Sequence, residues 1–346
     1  MQNPRPRSRK GAPGIIEVAQ RAGVSPATVS RFYNSPDVVR GPTRKRIEKA
    51  AQDLGYIRDR MAGTLHNRFS GTFGLIVPTI DNAIFAEMIE AFSGRLQERE
   101  RTMLIAAHGY DLSLETGIVR SLLERRIDGI ALVGLDHDSV PLNMLEQRDI
   151  PVISIWNYDE NSLIPCVGAD NFLAGKLVAD HVVQSGHSDV VLIFPETQNN
   201  DRARGRLQGV EATFKKHGSP LSPEQYLQCK YDIGEAKILA ETVLRSNPPS
   251  CIICGNDIIA HGVIYAAQRM GIAVPDVVSV VGIGDFGGSE HLEPALTTVR
   301  LPARRIGIQA ADTLLYMSET GVPPKPFHQS IPLELKVRGS TNITSR

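Results

Sequence analysis

The sequence predicts a small all-α helix-turn-helix head followed by a larger α/β body of two lobes. Residues 1–70 are strongly basic and contain short amphipathic helical patterns joined by a glycine turn. From Thr72 onward, short apolar runs alternate with helical patterns, which is typical of parallel sheets covered by helices on both faces. The apolar runs, each a predicted strand, are 73–77, 103–107, 129–133, 152–155, 190–194, 251–254 and 277–282. With 346 residues, the chain is long enough for two or three domains.

The charge of the chain is divided unevenly between head and body. Residues 1–70 hold 14 basic and five acidic side chains, a net charge of +9, and the remainder carries −9. A basic head on an acidic body favours contact between the head alone and phosphate groups. We expect residues 1–13 to form a basic flexible tail, but such a tail does not account for the charges spread through the patterned segment that follows.

The head, residues 14–57, shows the pattern of short helices joined by a tight turn. Helical spacing places apolar residues of 15–22 on one face, and Gly23 ends this helix because glycine accepts a left-handed backbone. Ser25 is suited to cap a second helix, over 26–34. A third helix is predicted from Thr43 to Leu54. In such a motif the second helix enters the major groove of DNA; a plain three-helix packing unit is the alternative.

The run Glu17–Asn34, with Leu54-Gly55-Tyr56 after it, closely resembles the head of the LacI/GalR family of transcription regulators. In that family the matching positions face bases or support contacts to the DNA backbone. The resemblance therefore implies a DNA-binding set of Ser25, Pro26, Ala27, Thr28, Ser30, Arg31 and Asn34. Arg31 also has the length and planar fork to read a guanine.

Residues 58–71 occupy the position of the family's hinge segment, which inserts a leucine into the minor groove. The resemblance implies that Leu65 is this wedge and that Ala62 packs beside it. The segment departs from the family at Arg58-Asp59, where Pro-Asn is common, and at Gly63. Because glycine inside a helix costs roughly 1 kcal/mol relative to alanine, we expect the hinge to be disordered until DNA folds it. A plain flexible linker is the alternative.

The body, residues 72–346, is similar to the family's sensor domain over nearly its whole length. The matching segments include Gly74–Pro78, Asp128-Gly129-Ile130, Asp170-Asn171, Asn256-Asp257 and Pro294–Thr298. The resemblance implies a periplasmic-binding-protein-like fold that holds a small-molecule effector between two lobes and forms a homodimer. It places the three crossings between lobes near Asp170, Thr298 and Pro332. No leucine heptads follow Val337, so we expect a dimer rather than a tetramer.

Candidate effector contacts follow from position, because ligands of open α/β sheets bind beyond the carboxyl ends of strands. The candidates are Asn82, Phe85, Trp156, Asn157, Arg206, Asn256, Asp257 and Asp285. Arg206 also matches a ligand contact of the family, and an arginine fork suits a carboxylate or phosphate. Trp156, the only tryptophan, could stack on a sugar-like face. Helix capping, turn formation and surface charge are the alternatives for each candidate.

The class of effector follows from the resemblance to one branch of the family. Gly284 stands where many sugar-sensing members carry an aspartate, which argues against a neutral sugar. His137, Trp156–Tyr158 and the segment 201–206 resemble the gluconate-sensing branch. We therefore expect a sugar acid or a related organic acid.

Two other classes of protein compete with a regulator. Gly282–Gly287 matches G-x-G-x-x-G, which suggests a NAD-dependent enzyme, but it comes late and leads into a proline-containing loop instead of a helix. A solute-binding protein without a DNA role would share the body fold, but the basic head argues against it. No Walker loop, nucleophile elbow or metal-ligand cluster is evident, so we expect no enzyme activity, cofactor or metal.

The cysteines and the N-terminus bear on the cellular compartment. Cys251-Ile-Ile-Cys254 matches C-x-x-C, but no second pair follows at zinc spacing, and its apolar run is typical of a buried strand. Residues 1–13 contain no apolar core of a secretory signal, and no stretch reaches the roughly 18 apolar residues of a membrane span. We expect a cytoplasmic protein with cysteines in its core.

Overall fold

The computed structural model describes residues 13–58 and 69–342. The chain divides into two compact units, residues 1–70 and 71–346. Within the described residues the helices are α1 (Ile15–Ala22), α2 (Pro26–Asn34), α3 (Gly41–Leu54), α4 (Ala83–Gln97), α5 (Glu115–Glu124), α6 (Ser139–Glu146), α7 (Asn171–Gln184), α8 (Asp201–Lys216), α9 (Ile233–Ser246), α10 (Asp257–Met270) and α11 (Ala303–Thr320). The strands are β1 (Thr72–Val77), β2 (Thr102–Ala107), β3 (Ile130–Val133), β4 (Val152–Asn157), β5 (Cys166–Ala169), β6 (Val190–Phe194), β7 (Tyr226–Gln228), β8 (Cys251–Cys254), β9 (Ser279–Gly284), β10 (Thr297–Arg300), β11 (His328–Ser330) and β12 (Glu334–Lys336).

The first unit is the predicted three-helix head. Its small core includes Val18, Val29 and Ile47, which are fully buried between α1, α2 and α3. Gly23 ends α1 with a φ of 65°, as its position predicted. The third helix begins at Gly41, two residues before the predicted start. The predictions for Ala62 and Leu65 and most of the expected tail lie outside the described residues.

The second unit consists of two lobes, each built on a six-stranded sheet within residues 69–342. In lobe 1 the strand order is β11-β5-β4-β3-β1-β2, and in lobe 2 it is β12-β10-β9-β8-β6-β7. Helices α4 and α11 pack together on the sheet of lobe 1, whereas α7, α8, α9 and α10 belong to lobe 2. This confirms the predicted two-lobed α/β body.

The chain passes between the lobes three times within residues 69–342. The first crossing follows β5 near Asp170 and the third lies near Pro332, as predicted. The second follows β10 at residues 301–302, slightly beyond the predicted Thr298. In lobe 2, β12 pairs antiparallel with β10, while the other strand pairs of both sheets are parallel. The short strand β12 lies at the edge of this sheet, and antiparallel edge strands are common on otherwise parallel sheets.

Two features of the described residues bear on a membrane span and on a metal site at the C-x-x-C motif. No described helix combines the length and apolar character needed to cross a membrane. Cys251 and Cys254 lie fully buried as free thiols on β8, and burial raises the pKa of both thiols. They are core residues, as the apolar run indicated.

Candidate DNA-binding and effector-binding sites

The predicted DNA-binding residues of the head lie on α2 or at its N-cap. The Ser25 hydroxyl caps the helix by accepting a hydrogen bond from the Thr28 amide at 3.2 Å. Val29 is buried in the core, whereas Pro26, Ala27 and Arg31 are exposed. Among residues 13–58, no acidic side chain pairs with Arg31. The helix therefore presents an exposed first turn and one uncompensated guanidinium to a partner.

The C-terminal end of α2 is held by a residue that the sequence did not single out as a contact. The Arg58 guanidinium donates to the Tyr33 carbonyl at 2.8 Å and to the Asn34 side-chain oxygen. It also lies 5.6 Å from the centroid of the Tyr33 ring. The Asn34 amide nitrogen donates to the Ser30 hydroxyl at 3.3 Å. Arg58 was visible only as a departure from the family pattern, because its partners lie 24 and 25 residues earlier in the chain.

In the second unit, loops that follow strands of the two lobes meet across a cleft. Tyr110, after β2 in lobe 1, lies with its ring centroid 5.6 Å from that of Tyr231, after β7 in lobe 2. Burial raises the pKa of the Tyr110 hydroxyl, which is hydrogen-bonded to Asn82. Asn82 also caps α4 by accepting from the Ile84 amide at 3.2 Å. These contacts bring Asn82, Tyr110 and Tyr231 together where the two lobes meet.

Arg206 contributes a buried positive charge to the same region. Its side chain, on α8, is almost completely buried, and Nε donates to Asn171 Oδ1 at 2.8 Å. One terminal nitrogen donates to the Gly255 carbonyl at 3.0 Å. No carboxylate among the described residues pairs with it, and burial lowers the pKa of the guanidinium. A buried arginine that meets only neutral oxygens is suited to receive an anion.

The acidic candidates of lobe 2 are engaged by groups of their own lobe. The fully buried Asp257 carboxylate accepts from the Ser289 hydroxyl, the Thr298 hydroxyl and the Asp285 amide, each at 2.7 Å. Burial raises the pKa of Asp257 to about 6. Asp285 itself pairs with two arginines at 2.6 and 2.7 Å. Asn256 caps α10 by accepting from the Ile259 amide at 3.1 Å. Effector contact by these three residues stays a prediction.

The aromatic candidates lie together in lobe 1. The rings of Phe85 and Trp156 are buried and meet edge to face, with centroids 5.1 Å apart. Trp156 lies within β4, not after it, with a left-handed φ of 79°. The next residue, Asn157, donates to Asp201 of lobe 2 at 2.7 Å. Stacking of Trp156 on an effector stays a prediction.

The first two glycines of the G-x-G-x-x-G match, Gly282 and Gly284 on β9, are in places where a side chain would clash with its neighbours. A Cβ at Gly282 would overlap the Asp257 carboxylate. One at Gly284, whose φ is 152°, would lie 3.1 Å from the Phe286 ring and 3.2 Å from Ile84 of lobe 1. The pattern therefore makes room for a carboxylate and for the opposite lobe, whereas a dinucleotide fingerprint makes room for a pyrophosphate.

Several residues of the cleft escaped the sequence reasoning. Tyr110 follows the predicted strand 103–107, so the rule that ligands gather after strands could have found it. Tyr231 follows β7, which has three residues and gives no periodic signal. Asn171 was visible only as a match to the family. Its side chain connects Arg206 to Asn157, a role that depends on contacts distant in sequence.

A basic three-helix head with an exposed second helix precedes two lobes that bury an arginine with no carboxylate partner among residues 69–342. This combination is typical of a DNA-binding protein under ligand control. Residues 14–59 match the family described as bacterial regulatory proteins of the lacI family. Residues 70–324 match the periplasmic binding proteins and sugar binding domain of the LacI family. The chain belongs to the LacI family: it is a DNA-binding transcription regulator with an effector-binding domain, not an enzyme.

Individual relatives agree with this assignment. The chain is 29% identical over 334 residues to the HTH-type transcriptional regulator GntR of Pseudomonas aeruginosa, covering 96% of each chain. It is similar to the crystal structure of transcription regulator GntR from Chromobacterium violaceum, with a TM-score of 0.73, 26% identity and coverage of 78% of this chain and 99% of that one. The lac repressor dimer bound to operator and the anti-inducer ONPF shares the fold, with a TM-score of 0.83, 23% identity and coverage of 96% and 100%. These comparisons give no support to the solute-binding or NAD-dependent alternatives.

Proposed function

We propose that this chain is a cytoplasmic, homodimeric repressor whose affinity for a pseudo-palindromic operator is controlled by an acidic small molecule held between its lobes. A sugar acid or a related organic acid is the effector class that fits. The observation that carries this proposal is the Arg206 guanidinium, which is buried beside the cleft without a carboxylate partner among the described residues.

The surroundings of Arg206 favour a hydroxylated acid over a neutral sugar. An effector carboxylate would supply a negative charge to pair with the Arg206 guanidinium. Tyr110 and Asn82 offer hydrogen-bonding groups from lobe 1. Gly284 provides no side chain, and the Ile84 side chain approaches it from lobe 1, so this part of the wall offers no carboxylate to sugar hydroxyls. Phe85, Trp156, Asn157, Asn256, Asp257 and Asp285 are the further proposed contacts or supports of this site.

The head supports the proposed operator contacts. Pro26, Ala27 and Arg31 are exposed and would face base edges, while Ser25, Thr28, Ser30 and Asn34 would hold phosphates. Ala62 and Leu65 remain proposed as minor-groove contacts. A two-fold operator requires two heads in matching orientation, which a homodimer supplies. Exposed apolar side chains suited to a second copy occur on both lobes, including Ile105 on the edge strand β2 and Ile238 on α9.

The effector half is tested by thermal shift with sugar acids and their uncharged parent sugars. A ligand that binds only the native state raises the melting temperature. We expect D-gluconate or another sugar acid to raise it in the wild type, and Arg206→Ala to abolish the shift while operator binding persists. Arg269→Ala, an exposed arginine of the same lobe that pairs with Glu241 at 3.2 Å, is the control and should keep the shift. Equal shifts by uncharged sugars, or an unchanged shift in Arg206→Ala, would contradict the proposal.

The DNA half is tested with Arg31→Ala on the selected operator and on random duplex. Loss of one base contact should weaken operator binding by roughly 1–3 kcal/mol and leave non-specific binding nearly unchanged. Equal losses on both duplexes would remove Arg31 from base recognition.

A further inference from the structure

The loop that follows β3 in lobe 1 is gripped by the first turn of α8 in lobe 2. Asp201 Oδ2 accepts from the Leu135 backbone amide and from Asn157 Nδ2, both at 2.7 Å. Arg204 donates to both carboxylate oxygens of Asp136, at 2.7 and 2.9 Å. We call these five residues the interlobe clasp. They join the lobes at a place where domain closure would have to change the contacts.

The clasp loop is fitted closely on both sides. Gly134 has a φ of 100°, and a Cβ there would overlap the guanidinium of Arg202 and lie 2.9 Å from Asp201 Oδ1. From within lobe 1, His137 holds the loop, because its ring nitrogens lie 2.9 Å from the Gly134 carbonyl and 2.9 Å from the Glu115 carboxylate. Although burial opposes it, the hydrogen bond to the Glu115 carboxylate and the contact with the Gly134 carbonyl raise the pKa of His137. The loop is thus rigidly supported behind the clasp.

Two buried amide side chains connect the clasp to Arg206. Arg206 Nε donates to Asn171 Oδ1 at 2.8 Å, and Asn171 Nδ2 donates to Asn157 Oδ1 at 3.0 Å. Asn157 Nδ2 then donates to Asp201 at 2.7 Å. Each amide uses its oxygen toward Arg206 and its nitrogen toward the clasp, so neither can rotate without loss of a contact on each side. The four side chains form one continuous path inside the protein.

We propose that Asn171 and Asn157 are positioning residues that relay the occupancy of Arg206 to the interlobe clasp, so that effector binding loosens the grip of α8 on lobe 1. This inference rests on the proposed function of Arg206. A carboxylate that binds the guanidinium through Nε and one terminal nitrogen takes the Nε hydrogen from Asn171 Oδ1. Once released, the two amides can reorient, and Asp201 loses one of its two donors from lobe 1. The lobes then change their relative angle, which is the differential contact that allostery requires.

The first test separates effector binding from the response to it. With D-gluconate as probe, Asp201→Asn in the full chain should keep the gluconate Kd within about twofold of wild type. The ratio of operator Kd values with and without gluconate should fall at least about fivefold, because a typical coupling spans roughly 5–150-fold. Asp180→Asn, which alters another lobe 2 carboxylate near His217, is the matched control and should keep the full ratio. An unchanged ratio in Asp201→Asn would overturn the relay.

The second test needs no effector and also covers a poorly folding Asp201 variant. The Leu135 amide donates into the clasp, so its hydrogen exchange reports the grip. Arg206→Ala and Asn171→Ala should each accelerate that exchange several-fold, although the hydrogen bonds of neither residue reach Leu135. Unchanged exchange in both variants would overturn the inference. If wild-type protein binds no sugar acid, the proposed effector class fails, and the exchange of Leu135 still decides the relay.

Discussion

Two buried charged side chains in lobe 2, Asp257 and Arg206, differ in how the fold satisfies their charge. Asp257 accepts three hydrogen bonds from its own lobe, although burial raises its pKa to about 6. Arg206 is comparably buried and donates only to two neutral oxygens, and the Asp257 carboxylate acts on it only through space. A buried charge with hydrogen-bonded partners stabilises the fold, whereas a buried charge without a hydrogen-bonded countercharge is costly unless a ligand supplies one. The contrast separates structural from ligand-binding charges within one cleft.

The largest expected effect tests the structural side of this contrast. Asp257→Ala leaves the Ser289 hydroxyl, the Thr298 hydroxyl and the Asp285 amide without their acceptor. The free energy of unfolding should fall by about 3 kcal/mol, since each buried unsatisfied group costs roughly 1–3 kcal/mol. Urea denaturation measures this. Asp276→Ala, an exposed acid of the same lobe, is the control and should stay within about 0.5 kcal/mol of wild type. A similarly small change for Asp257→Ala would show that these contacts do not hold the lobe.

A second prediction concerns an arginine that does have a countercharge. Arg338 pairs with Asp285 at 2.7 Å and donates to the Leu296 carbonyl at 2.8 Å. Arg338→Met should lower the free energy of unfolding by about 2 kcal/mol, because it leaves a nearly buried carboxylate with one partner, Arg300, in place of two. The measurement is urea unfolding followed by circular dichroism. Wild-type stability in this variant would mean that Arg300 alone satisfies Asp285.

The sequence identified Asp257 and Arg206 as candidate site residues but did not predict the hydrogen-bond partners of either. The apolar runs placed β1, β8 and β9, and the rule for strand ends then pointed to Asp257. Its donors come from residues 28 to 41 positions later, which no local pattern connects to it. The sequence missed five strands of three or four residues each. Of these, β10, β11 and β12 contain at most one apolar residue each, so they form no apolar run. Arg206 was found from the family resemblance, but the sequence could not show that no described carboxylate pairs with it, because that depends on how the lobes pack.

The third prediction uses acid to probe the Asp257 network. His261 Nε2 lies 3.2 Å from the Ser289 hydroxyl oxygen, and burial lowers the pKa of His261 from 6.5 to about 4. The folded state therefore holds this imidazole neutral. Its stabilising contribution is complete above pH 6.5 and is lost as the pH falls from 6.5 toward about 4.

The wild type should therefore lose its stability advantage over His261→Gln as the pH falls. Between pH 6.5 and 4 the wild type should lose more stability than the variant, by up to about 1 kcal/mol per pH unit. Glutamine cannot titrate but can still donate to Ser289. Other buried histidines with lowered pKa values, His108 and His187 among them, contribute equally to both proteins and cancel. Parallel pH profiles would show that His261 does not titrate within this network.

The smallest expected change in stability is that of Arg206→Met, and it compares Arg206 directly with Arg338. Arg206→Met removes a long buried cation and leaves the Asn171 and Gly255 oxygens without one donor each. That loss is offset because the unpaired charge no longer has to be buried, and apolar replacements of buried charges are often neutral or stabilising. The free energy of unfolding should change by less than about 1 kcal/mol, although the same substitution at Arg338 costs about twice that. If Arg206→Met lowers the free energy of unfolding by about 2 kcal/mol or more, Arg206 is a structural arginine like Arg338. If the variant has near-wild-type stability but no longer responds to sugar acids, the buried charge of Arg206 serves to bind a ligand.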